Sequence, residues 1–134
     1  MSATPMDPAM LIGTWQLVET RAHDGEGNPI RPPYGGKGLG VISFDAAGRM
    51  VAVLCEGGEI APGESREYSS YCGAYRFDGR TLVTRVDATA EPARMGSDQV
   101  RQVSMEDGRM VLRPAPRPWK GVMQHRQLIW EKIG

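Results

Sequence analysis

Arg101 carries the sharpest chemistry in this sequence. Along Gln99, Arg101, Val103 and Met105 every second residue shares one face of an extended segment, while Val100, Gln102 and Ser104 face away. Pairing Glu106 with Arg109 across Asp107 and Gly108 brings Met110 and Leu112 to the first face, which makes it the apolar one. A guanidinium turned into an apolar interior must meet an anion or carry a large desolvation cost. Two partners are open. One is Glu19, which alternation from Trp15 and Leu17 also turns inward. The other is a ligand, with Arg101 and Gln99 recognising a carboxylate, phenolate or enolate on an otherwise apolar body. Tyr71, Tyr75 and Thr84 add hydroxyls to the same interior, where the phenols either touch a ligand or satisfy one another. Trp119, in a proline-rich loop, is either an aromatic lid over the opening or loop packing.

The remaining reactive side chains point to little. Cys55 and Cys72 read as reduced thiols, and His23 and His125 have no neighbours at metal-ligand spacing, so neither metal nor cofactor is expected. The sequence has no nucleophile beside a base and no phosphate-cradling glycine loop, which disfavours hydrolase, transferase and nucleotide-dependent chemistry. No catalytic residue can be named. An isomerase or cyclase stays open, because such a catalyst needs only orientation and one hydrogen-bond donor.

These residues need a frame, and three tight turns supply it. Asp78-Gly79 joins Tyr68–Phe77 to Arg80–Thr89 in a predicted type I′ hairpin that sets Phe77 opposite Arg80, Tyr75 opposite Leu82 and Tyr71 opposite Val86. Its inner face reads Tyr71, Gly73, Tyr75, Leu82, Thr84 and Val86. Asp45 to Gly48 turns Gly38–Phe44 into Arg49–Cys55, and Asp107-Gly108 turns Ser97–Met105 into Arg109–Arg113. A strand from Ile12 to about Arg21 follows a helical turn at Pro8–Leu11, and the residues before it read as frayed. A last strand, Val122–Ile133, has an open facing: Arg126, Leu128 and Trp130 compete with His125, Gln127 and Ile129. Between these elements lie four long glycine- and proline-bearing connections, Ala22 to Lys37, Glu56 to Glu67, Ala90 to Gly96 and Pro114 to Gly121. Tight and long connections alternate along the chain. That alternation predicts an all-β, eight-stranded antiparallel up-and-down barrel, shut by hairpins at one end and ringed by loops at the other.

A chain of 134 residues fits a single domain spanning 1–134. Sixteen basic and sixteen acidic residues cancel, so nucleic acid and an anionic membrane surface are not expected partners. The start, with Asp7 and two prolines, shows no basic segment leading into an apolar core, and a cytoplasmic monomer or homodimer is the expectation.

The stretches Leu11-Ile12-Gly13-Thr14-Trp15, Gly48-Arg49-Met50, Tyr68-Ser69-Ser70-Tyr71-Cys72-Gly73, Gln99-Val100-Arg101 and Leu128-Ile129-Trp130-Glu131 resemble the bacterial and fungal lipocalin-like domain family over nearly the whole chain. The resemblance implies a lipocalin-type barrel with Trp15 packed at the closed end. Relatives often carry two adjacent histidines where this sequence has Thr84 and Arg85, so histidine chemistry does not transfer. The family is defined by its fold and has no single assigned reaction. The expected function is binding of a small, mostly apolar molecule in the barrel, with an isomerase or cyclase acting on a polyketide-like or other hydrophobic molecule as the alternative.

Overall fold

In the computed structural model, which describes residues 5–134, nine strands run in chain order: β1 (Gly13–His23), β2 (Gly38–Phe44), β3 (Arg49–Glu56), β4 (Tyr68–Phe77), β5 (Thr81–Thr89), β6 (Asp98–Glu106), β7 (Arg109–Pro114), β8 (Arg117–Trp119) and β9 (Val122–Lys132). Each long strand pairs antiparallel with the next, and β9 returns to β1. The eight long strands therefore close a barrel. β8 is a short addition inside the proline-rich connection that pairs only with the start of β9. Among the described residues no helix is long and apolar enough to cross a membrane.

The tight turns form for the expected reasons, with one change. Gly48 sits at φ +90° while the Asp45 carboxylate accepts the Arg49 N–H at 2.8 Å, and Asp107 and Gly108 are both left-handed, as a type I′ turn demands. In the central hairpin the Asp78 carboxylate instead accepts the N–H groups of Arg80 and Thr81, at 2.9 and 2.8 Å, and Phe77 pairs with Leu82 rather than Arg80. The loop is longer because Asp78 folds over its own backbone. A two-residue shift preserves side-chain facing, so the inner face is the one expected even though Tyr75 now lies opposite Thr84.

Two bulges bend the wall. On β5, Asp87 is the extra residue between pairs Gly73–Val86 and Cys72–Ala88, and a Cβ at Gly73 would overlap the Arg85 carbonyl. On β1, Leu17 pairs with Trp130 but Glu19 pairs with Ile129, so Val18 is extra. That second bulge inverts the facing of everything after it: Trp15 and Leu17 point in, then Thr20 and Ala22 do. Glu19 is consequently on the outer wall, bound through both carboxylate oxygens to Arg21 at 3.0 Å, and its expected inward position is corrected.

The closed end is filled by Trp15, Phe44, Met50, Leu82, Val86, Met110 and Trp130, and capped by the 3-10 turn Pro8–Leu11. The Trp15 indole donates to the Leu11 carbonyl at 3.0 Å. Residues 1–4 of the start expected to fray lie outside the described residues, but Met6 is buried and its N–H donates to the Gly79 carbonyl, so the chain is already docked there. Cys55 and Cys72 are free thiols on the outer wall, opposite Tyr68 and Val51.

Candidate functional site

The open end holds a cavity of about 450 Å³ to which all four long connections contribute: Tyr34 from the first, Glu67 from the second, Arg94 from the third and Trp119 from the fourth. Apolar side chains of the strands, Ile42, Leu54, Leu112 and Leu128 among them, form its wall. β9 turns Gln124, Arg126, Leu128 and Trp130 toward it, which decides the facing left open by the sequence. His125 lies on the other side of the strand, stacked on His23 with ring centroids 5.1 Å apart.

Of the residues singled out in the sequence, the structure brings Tyr71, Gln99, Arg101 and Trp119 together on the cavity lining. Tyr75 and Thr84 are elsewhere. The Tyr75 hydroxyl donates to the Asp45 carbonyl at 2.8 Å, and its ring sits edge-on to Phe44 at the shut end. Thr84 is buried in the core between the two ends. Both share the inner face with Tyr71 but lie further along the barrel, because facing says nothing about depth. Glu19, outside the wall, reaches no part of the cavity.

The chemistry of the cavity is cationic. Arg101 donates to the Val100 carbonyl at 2.9 Å and to Gln99 Oε1 at 3.0 Å, and among the described residues it has no carboxylate partner. The same Gln99 oxygen accepts from Arg94 at 3.2 Å, so one neutral amide stands between two guanidinium groups. Arg94 also donates to Ser69, lies 4.7 Å over the Tyr71 ring and has the exposed Glu91 at 3.6 Å. Arg126 donates to the Ala115 carbonyl at 3.0 Å while its Nε is buried without a partner, and Arg117 rests on Gln124 at 2.9 Å. At the rim Arg31 is paired with Glu67 at 3.0 Å and Glu56 at 3.7 Å. Burial holds the Arg101 guanidinium below its usual pKa, and burial with Arg117 and Arg101 nearby lowers Arg126 to about 10. Arg126 remains charged at neutral pH.

A family model described as "Lipocalin-like domain" matches residues 12–133. The chain belongs to the lipocalin-like domain family. Among solved structures it is similar to an uncharacterized protein from Bacteroides eggerthii DSM 20697, at 15% identity and TM-score 0.46, over 92% of this chain and 99% of that one. No curated protein matches it. A lipocalin-like barrel of eight strands is an architecture with room for side chains or one small molecule, and here the open end keeps the room.

Several cavity residues of this lipocalin-like domain were not singled out in the sequence. Arg126 escaped because both faces of the last strand mix charge and apolar bulk. Its position follows from a break in the wall: β7 pairs with β9 as far as Leu112–Leu128, pairing resumes at Arg117–Gln124, and Arg113 to Pro116 splay away between them. Pro114 and Pro116 offer β9 no N–H, and Arg126 covers the break from within. Arg94 and Arg117 sit on connections where alternation gives no facing. Tyr34 is buried at the mouth with φ +59°, a conformation unfavourable for a bulky residue, and its N–H is held by Glu67 at 2.9 Å. The pair Pro32-Pro33 before it and Gly35-Gly36 after it was the available signal of a strained turn.

Proposed function

We propose that this lipocalin-like domain binds a small, mostly apolar molecule carrying a carboxylate, phenol or enol, with the acidic group on Arg101 and Gln99 and the apolar body against Ile42, Leu54, Leu112 and Leu128. The observation that carries this reading is Arg101 itself, partly buried on the inner wall with only neutral acceptors. A filled core would place an apolar residue there. A partly buried cation facing an open cavity is stabilised when a ligand supplies the counter-charge. Tyr71 and Trp119 supply aromatic surface on the lining, and a cytoplasmic monomer or homodimer suits the free thiols and balanced charge.

The strained Tyr34 favours a second reading, since such backbone outliers cluster at active sites. In an isomerase or cyclase the Arg101 guanidinium would polarise a carbonyl of a folded hydrophobic substrate. Calorimetric titration with hydrocinnamate and its neutral isostere hydrocinnamide tests the anion requirement of the first reading. The carboxylate should bind about tenfold or more tightly than the amide. Equal affinities would overturn the anion-binding reading.

A further inference from the structure

The cavity has more positive charge than one acidic group can neutralise. Arg31 already has Glu67 and Glu56, and Arg94 has Glu91 within reach. Arg101, Arg117 and Arg126 have no carboxylate among the described residues, and Glu67 and Glu91 are the only carboxylates among those lining the cavity. The geometry brings two of these cations toward one point. Arg101 on β6 is in register with Pro114 on β7, and Arg126 reaches from β9 to the carbonyl of the next residue, Ala115. Their backbones are therefore at least two strand spacings apart, roughly 10 Å or more, with Arg101 lining the cavity and Arg126 set in the break, where it also borders a groove on the outer wall. Arg126 has also closed part of that distance. On the other flank of Arg101, Gln99 links it to Arg94 through a single neutral oxygen.

We infer that the natural ligand carries two negative charges in one compact head group, a geminal dicarboxylate or a phosphate monoester, gripped between Arg101 and Arg126. This deepens the binding reading and rests on it. A single carboxylate at Arg101 would leave the Arg126 guanidinium buried against one carbonyl, with an Nε that has no acceptor. A second anionic oxygen on the cavity side of that guanidinium supplies its counter-charge and relieves the repulsion between the two cations. Arg94 and Arg117, also on the lining, add to the same field.

Three probes with one phenyl body separate the possibilities: hydrocinnamate with a single charge, benzylmalonate with two carboxylates, and phenethyl phosphate. Calorimetric titration near neutral pH should give the dianions about tenfold or more tighter binding than hydrocinnamate, with a steeper loss of affinity as salt is added. The tighter of the two dianions names the head group. Arg126→Met should bring the ratio of dianion to monoanion affinity close to one, and Arg126→Lys, which keeps the charge, should retain most of it. If hydrocinnamate binds as tightly as both dianions, the double charge is wrong and single-anion binding stands; if the ratio survives in Arg126→Met, the grip between Arg101 and Arg126 is wrong. If none of the three binds, both fall together.

Discussion

A half-buried guanidinium without a counter-ion costs the unliganded protein stability, and Arg126 carries that cost at neutral pH. Its pKa is lower in the fold than in the unfolded chain, so the unfolded chain holds the proton more tightly and the penalty fades only as pH rises through about 10. Arg126→Met should therefore raise unfolding stability near pH 7 by about 1 kcal/mol, solvent screening of the half-exposed group reducing the gain, with the advantage shrinking above about pH 10, as read by urea denaturation at a series of pH values. Arg101 and Glu19 should be energetically independent, since Glu19 pairs with Arg21 outside the wall. In a double-mutant cycle of Arg101→Met with Glu19→Gln, the stability effects should add within about 0.5 kcal/mol. Arg101 was legible because β6 alternates without interruption up to a type I′ turn that pins its register. Glu19 was misplaced because one extra residue, Val18, inverts the count, and nothing about valine announces a bulge. Tyr34 could not be read as a cavity residue, since its burial follows from a left-handed backbone set by contacts from Glu67, distant in sequence.

The hairpins were the elements most open to reading, because aspartate and glycine state their turn chemistry locally. Even there the central register slipped by two residues, as Asp78 captured two backbone N–H groups that a simple Asp-Gly turn leaves free. The bulge on β5 depends on the bare backbone of Gly73. Gly73→Ala would press a methyl group into the Arg85 carbonyl and should cost about 3 kcal/mol or more, seen as a lower urea midpoint. The outer faces of β3 and β4 carry the two thiols away from the cavity. Replacing Cys55 and Cys72 together by serine should leave affinity for hydrocinnamate unchanged, and a loss of binding in that variant would mean that the outer wall reports on the cavity. β8 was hidden by the prolines around it, which suggest an irregular loop; Arg117–Trp119 pairs with β9 on one side only, where a proline's missing N–H does no harm.

At the scale of the whole barrel, alternation of short and long connections was enough to foresee one shut end and one ringed by loops, because antiparallel neighbours must reverse at alternate ends. Depth within the barrel was legible only in part: Tyr75, beside a tight turn, reads as deeper than Tyr71, but how far the base is filled does not follow from alternation. Tyr71, Tyr75 and Thr84 share an inner face, yet only Tyr71 reaches the cavity, since the large side chains of Trp15, Trp130 and Phe44 fill the lower half. That division makes the protein two-layered: a packed base that supplies stability, and a largely polar cup lined by arginines. The central claim is that Arg101 serves the ligand and not the fold. Its most direct measurement sets the melting temperature of unliganded Arg101→Met beside that variant's affinity for hydrocinnamate. Affinity should fall by about 2 to 5 kcal/mol while the unliganded protein melts at the same temperature or higher. Undiminished affinity, or a lower melting temperature with binding intact, would contradict it.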